Sequence, residues 1–229
     1  MFQHQRRTDQ NHASHFKGNS AESTERATLI RADLHVHTDY SPDASIHPKT
    51  IVNHLHAHPF IKAVAITDHN TFKGYHRVHK LASAFEDITV IPGVEISAVE
   101  GELIVLGITQ LPPKPWTVKN VIDFARERNG LIIVPHPYRA QGLGDQTRRF
   151  NVDAVEVLNG NDPRHLNKMA EKLAKETGLP GVAGSDAHKI NKLWTVYTEV
   201  EASSDIQEIL SAILKGLTRV VSTRKSIHF

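Results

Sequence analysis

Residues 33–38 read DLHVHT, a short apolar stretch that closes on two histidines one position apart. Side chains at i and i+2 of a β-strand leave the same face. A strand here would therefore present the imidazoles of His35 and His37 side by side at its end, as a metal site requires. The competing reading is two ordinary surface histidines in a chain that holds 16 of them. The surrounding sequence decides between the two.

Outward from this stretch, strand-like segments recur: RADLHVH, IKAVAIT, ITVIPGVEI, ELIVLGI, LIIVPH, VDAVEVL and LPGVAGS. Several are almost continuous Val, Ile, Leu and Ala, as expected of strands covered on both faces. Helical patterns lie between many of them. Val118, Val121, Ile122 and Ala125 form one stripe before Gly130. Asp162 reads as an N-cap with Pro163 in the first turn, ahead of Leu166, Ala170 and Leu173, with Gly178 and Pro180 at the end. Ser204 and Gln207 read as a capping box ahead of Ile209, Leu210, Ile213 and Leu214. Strands alternating with helices predict an α/β fold with a mainly parallel sheet.

Composition bounds the chemistry. The chain has 229 residues, 39% hydrophobic and 23% charged, which predicts a globular protein with a large core. One domain over residues 30–229 is favoured. A formal net charge of +2 argues for no nucleic-acid partner by itself. No apolar run approaches the ~20 residues of a membrane span, so no membrane partner is expected. With no cysteine, a transition metal would have to be held by His, Asp and Glu. Residues 1–29 are polar and aperiodic and lack a secretory core segment; the expectation is a disordered extension on a cytoplasmic protein, its His4, His12 and His15 belonging to a solvated tail. The segment LKGLTRVVSTRKSIHF, with Lys215, Arg219, Arg224 and Lys225 and no acid, reads as a charged surface tail.

Candidate ligands fall just after the strands. The first delivers His35 and His37, then Asp39 and Asp43; the next ends in Asp68 and His69; others deliver Glu95, His136 with Arg139, and Asp186 with His188. In α/β barrels the C-terminal strand ends form the functional face. Five separate segments thus aim His, Asp or Glu at one mouth, which predicts a polynuclear metal site. Imidazole and carboxylate suit Zn²⁺, Mn²⁺ or Fe²⁺. Ions ~3.5–4 Å apart can clamp a phosphate across an in-line displacement.

The stretches DLHVHTDYSPDAS, AITDHN, IPGVEIS, VPHPYR and VAGSDAH occur in the order found in the PHP family, named for polymerase and histidinol phosphatase, and the chain resembles its small stand-alone phosphoesterases over most of residues 31–200. The resemblance implies a distorted (β/α)7 barrel with a three-metal centre at the C-terminal strand ends. It implies that His35, His37, Glu95 and Asp186 hold one metal. Glu95 would bridge to a second, shared with His136, and Asp43, His69 and His188 would hold the third. Where many relatives have a further histidine, this chain has Glu102, a carboxylate able to take the same ligand position and to favour harder ions such as Mn²⁺. The implied reaction is hydrolysis of a phosphate ester by a metal-activated hydroxide near Glu95, His35 and His37. The substrate would be a small phosphomonoester, a nucleotide or a short oligonucleotide end, with no obligate protein partner.

Around that set, Arg139 is placed to grip a substrate phosphate as a bidentate fork. Asp68 is expected to orient a ligand histidine rather than bind metal. Asn159 is open to substrate contact or loop capping, and Arg148 and Arg149 are expected at the surface. His47, His54, His56, His58, His76, His79 and His165 are read as solvent-facing or structural, His54 and His58 sharing helical i, i+4 spacing. Trp116, Phe124 and Trp194 are read as packing residues. Two rivals stand beside the phosphoesterase reading: an amidohydrolase-type C–N or C–O hydrolase, and a non-catalytic PHP-like interaction module.

Overall fold

The computed structural model describes residues 28–223; the expectations for the N-terminal extension up to residue 27, and for Arg224 and Lys225, lie outside them. Nine strands form one sheet: β1 (Ile30–Val36), β2 (Ala63–Ile66), β3 (Thr89–Ser97), β4 (Glu102–Leu106), β5 (Leu131–Val134), β6 (Ala154–Asn159), β7 (Gly181–Gly184), β8 (Val196–Val200) and β9 (Thr218–Ser222). Five helices accompany them: α1 (Pro48–Ala57), α2 (Lys73–Ala82), α3 (Val118–Arg126), α4 (Arg164–Thr177) and α5 (Ile206–Leu214). The spatial order is β7-β6-β5-β4-β3-β2-β1-β8-β9.

All seven predicted strands are present, but the sheet is mixed rather than a seven-fold repeat of strand and helix. β1, β2 and β3 are parallel to one another, as are β5, β6 and β7, whereas β4 runs antiparallel to both its neighbours. The cause is local. Residues 98–101 are too few for the crossover that a parallel return needs, so β3 and β4 close as a hairpin. β8 and β9, also antiparallel, extend the sheet beyond β1. Thr218–Ser222, expected within a charged tail, is therefore an edge strand, and its Arg219 pairs with buried Glu199 on β8.

The sheet curls until β7 meets β1. Asp186 N donates to His35 O at 2.7 Å and His37 N to Ala187 O at 3.1 Å, with a parallel bridge between Val36 and Ala187. One apolar cluster draws Ile30, Ala32 and Leu34, Ala63, Ala65, Ile91, Ile104, Leu131, Val182 and Val200 into the centre, together with Ile209, Leu210 and Ile213 of α5. Ser204 O, just before α5, accepts from Thr89 Oγ1 at the start of β3, so α5 lies at the end opposite the strand C-termini. A second cluster packs the other face of the strands under α1, α2 and α3. Among the described residues, no helix is long and apolar enough to cross a membrane.

Two helix starts differ from expectation by one position. α4 begins at Arg164 with Pro163 as its cap, because the Asp162 carboxylate accepts from Arg139 Nε at 2.7 Å instead of capping. α5 is capped by Asp205, which accepts from Glu208 N at 3.0 Å while Glu208 reaches back to Ser203 N. α3 buries Val118, Val121, Ile122 and Ala125, and α4 stops at Gly178 in the left-handed conformation (φ 71°).

Candidate metal centre

β1 is not a regular strand where it matters. Its register with β2 slips between Asp33 and Val36. Leu34 consequently belongs to the central cluster and Val36 to the helix-covered one, although strict alternation would give them a single face. Past this bulge the rings of His35 and His37 lie 5.0 Å apart, with their Nε2 atoms 3.0 Å apart. Both side chains are fully buried.

Carboxylates complete the group. Glu95 Oε2 lies 3.4 Å from His35 Nε2 and 3.3 Å from His37 Nε2, and Asp186 Oδ1 lies 3.4 Å from each. Four ligands at ~2.0–2.1 Å from a tetrahedral ion stand roughly 3.3–3.4 Å from one another. Glu95 Oε1 turns to His136 Nε2 at 2.9 Å, and Glu102 Oε2 lies 3.8 Å from the same nitrogen. Glu102 starts an antiparallel strand, which brings it to the same end as the C-termini of the parallel ones. Farther out, His69 Nδ1 is 3.2 Å from Glu95 Oε2, and Asp43 Oδ2 is 3.4 Å from His69 Nε2 and 3.1 Å from His188 Nε2. All nine candidate ligands thus meet. Eight of them, all but Asp43, overlap in four sets able to hold an ion: His35, His37 and Asp186; His35, Glu95 and His136; His69, Glu95 and Glu102; and His37, His69 and His188.

The protons show what the cluster is built to accept. His35 Nδ1 lies 3.0 Å from Glu156 Oε1; a carboxylate only accepts, so the nitrogen donates. Ser41 Oγ gives its one proton to Asp68 Oδ1 at 2.9 Å, which makes it the acceptor for His37 Nδ1 at 3.1 Å. His188 Nδ1 donates to Asp186 O at 2.9 Å. With all three Nδ1–H groups committed, the Nε2 atoms of His35, His37 and His188 face carboxylates or each other, positions that call for a positive charge between them, a second ring proton in the metal-free protein or a shared cation. The donor set therefore fits divalent metal.

Charge follows the same logic. Burial opposes an imidazolium at His35, but Asp186, Glu156 and Glu95 outweigh it and hold the group well above the usual histidine range. His37, buried likewise, is pushed up to about 9 by Asp186 and Glu95. Against their own burial, the His35 charge and histidine hydrogen bonds keep Glu95 and Asp186 well below the usual carboxylate range. Glu102 is raised by burial and by the Glu95 charge. His136 (φ 25°) and Asp186 (φ 53°) have positive φ, a backbone region uncommon for residues other than glycine.

Three neighbours have their side chains committed within the protein. Arg139, offered by the sequence to a substrate phosphate, turns donors inward: Nε to Asp162 at 2.7 Å, one terminal nitrogen to Asp186 Oδ2 at 2.7 Å, the other to Asn159 Oδ1 at 2.9 Å. Asp68 touches no histidine directly; it accepts from Thr38 N, Thr38 Oγ1 and Ser41 Oγ and reaches His37 through that serine. Gly74 in α2 leaves the room, since a Cβ there would run into the Asp68 carboxylate. Asn159 is buried and caps the following loop, accepting from Asn161 N and Asp162 N.

Glu156, Asp33 and Ser41 were missed by sequence reasoning. The signal for Glu156 was present, a lone charge inside the apolar run VDAVEVL. Asp33 accepts from Ser185 N at 2.8 Å and His35 N at 3.3 Å, and burial pushes its carboxyl up to about 7. Among the described residues, the remaining histidines stay away from the cluster. His47 caps α1; His58 lies beyond that helix and accepts from Ile61 N, so it shares no helical face with His54; His56 pairs with Asp87; His76, His79 and His165 are exposed. Arg148 pairs with Glu176 at the surface and Arg149 is exposed. Trp194 is buried, and Trp116 and Phe124 pack at the core's edge.

Buried imidazoles and carboxylates gathered at the strand ends of a curled α/β sheet define the class of barrel-like α/β proteins with a candidate metal centre. Within that class the chain belongs to the PHP family: the PHP domain matches residues 33–139, and the PHP-associated C-terminal region matches residues 164–218. It is 37% identical over 142 residues to the uncharacterized protein MJ1587 of Methanocaldococcus jannaschii, covering 57% of this chain and 82% of that one. The fold is similar to that of a Bifidobacterium adolescentis protein named for metal-dependent phosphoesterase activity (TM-score 0.57, 16% identity, 69% of this chain and 87% of that one). It is also similar to that of a Chromobacterium violaceum amidohydrolase with bound sulfate (TM-score 0.56, 17% identity, 69% and 87%).

Proposed function

We propose that this protein hydrolyses phosphate esters, of the size of a small phosphomonoester, a nucleotide or an oligonucleotide end, using up to three divalent ions drawn from Mn, Zn or Fe. The observation that carries the reading is the convergence of the His35 and His37 Nε2 atoms on Glu95 and Asp186, at spacings that suit ligands of one shared cation. Such ions would supply Lewis acidity, lowering the pKa of water toward ~7 and neutralising phosphoryl charge. His35, His37, Glu95 and Asp186 would hold the deepest ion, His136 and Glu102 would join Glu95 for the second, and Asp43, His69 and His188 would serve the third. The last three are the more exposed, so the ester would arrive on their side. Arg139 fixes Asp186, and Asp68 acts through Ser41 to fix His37. A bound sulfate on a protein of similar fold is consistent with a tetrahedral anion as ligand.

Purified protein reconstituted with Mn²⁺ is to be assayed on phosphomonoester, phosphodiester and amide panels. Phosphate release from the esters is expected. Amide cleavage without phosphate release would replace this reading with the amidohydrolase one, and well under one ion per chain would favour an interaction module. His37→Ala and Asp186→Ala should each abolish turnover while leaving the fold in place, because removing one ligand costs metal affinity first.

A further inference from the structure

β6 carries one charged side chain in an apolar run, and that side chain is buried. An isolated carboxylate at such depth is strongly disfavoured, so its partners define its purpose. Glu156 Oε1 takes His35 Nδ1–H at 3.0 Å; Oε2 takes His136 N–H at 2.8 Å and Asn159 Nδ2 at 2.9 Å. His35 belongs to two ion-holding sets, one with His37 and Asp186 and one with Glu95 and His136, so the carboxylate holds the ligand common to both sets with one oxygen and a second ligand, His136, with the other. The β6–β7 register slips between Glu156 and Leu158. On β7, Gly184 has no side chain, and a Cβ there would lie 2.8 Å from Glu156 Oε1.

We propose that Glu156 is a positioning residue that couples two neighbouring metal positions, one oxygen fixing the ring tautomer of His35 and the other the positive-φ backbone of His136. The inference rests on the metal-binding reading above. Glutamine is the informative replacement because it has the same shape and only one accepting oxygen. If that oxygen takes His35 Nδ1–H, the amide NH₂ meets His136 N–H, donor against donor. Turned the other way, the NH₂ forces His35 into the opposite tautomer, with the proton on Nε2.

The test compares the full chain with Glu156→Gln by Zn²⁺ titration calorimetry, metal analysis and ¹⁵N NMR of the His35 ring. In the Zn²⁺-loaded native protein His35 is expected to carry its proton on Nδ1 with Nε2 bound to metal. The variant should bind Zn²⁺ about 10–100-fold more weakly, with fewer ions per chain. Native affinity and stoichiometry in Glu156→Gln would overturn the proposal. So would a proton on Nε2 of His35 in the loaded native protein, a measurement that decides the matter even if the variant does not fold. Failure of the native protein to bind Zn²⁺ or Mn²⁺ at all would instead bring down the metal reading itself.

Discussion

His35, His37 and His188 each have a partner behind the ring, and the carboxylates around His35 and His37 set how the metal-free protein responds to pH. His35 and His37 titrate above their unfolded value of 6.5, His37 at about 9. Their stabilising contribution is fully present below 6.5 and is lost as pH rises through the folded values. Asp33 acts in the same direction: raised to about 7 from 3.8, it holds a proton more tightly when folded, so stability falls as pH climbs between those values. Glu95 and Asp186 are depressed and act oppositely, losing their contribution as pH drops below the usual carboxylate range. Denaturant unfolding in chelator should therefore show a loss of stability from pH 7 to 9. Saturating metal should remove most of it, and a flat alkaline limb in chelator would contradict these assignments. Ser41→Ala tests the relay from Asp68. It leaves that buried carboxylate one donor short and releases the His37 ring, which should cost about 1–3 kcal/mol in stability and about 10–100-fold in metal affinity. Unchanged Mn²⁺ titration in this variant would show that Asp68 does not act through the serine.

At the scale of elements, the sequence disclosed the strands through their apolar runs and the ligands through their position just after them. It hid whatever depends on irregular backbone. The β1 bulge cannot be seen in DLHVHT, because alternation predicts one face for Leu34 and Val36 that the slip in register then divides. β8 was missed because Thr198 and Glu199 break the apolar signal although both are buried, and β9 because TRVVS sits among basic residues. Arg139 and Asp162 were assigned separately, as phosphate grip and helix cap, whereas each is spent on the other. β7 supplies the element-scale prediction. A Cβ at Gly184 would approach His35 N to 2.9 Å as well as Glu156, both held in hydrogen bonds. Gly184→Ala should destabilise by about 1–3 kcal/mol, as overpacking does, and should weaken Zn²⁺ binding by moving His35. Chemical denaturation with metal titration measures both, and native values for the two would contradict a close β1–β7 approach at this glycine.

Across the whole molecule, the metal cluster lies where the sheet closes on itself. The meeting of β1 and β7 near the mouth is carried by two backbone hydrogen bonds around His35, His37, Asp186 and Ala187, and His35, His37 and Asp186 are themselves a set able to hold an ion. An ion bound there would fasten the first strand to the seventh, joining chain segments 150 residues apart in number. Because it binds only the folded arrangement, it should add about 2.7 kcal/mol of stability at a free concentration 100-fold above its Kd. For a chain of this size that corresponds to a rise in Tm of roughly 5–10 °C. Hydrogen exchange should show where the stabilisation acts. Amides of Asp186 and His37 should gain the most protection on adding Mn²⁺, while those of α5, at the end of the barrel opposite the strand C-termini, should change little. A uniform gain across the sheet, or a Tm indifferent to metal, would mean that the ions do not close the barrel, even if they serve the chemistry at its mouth.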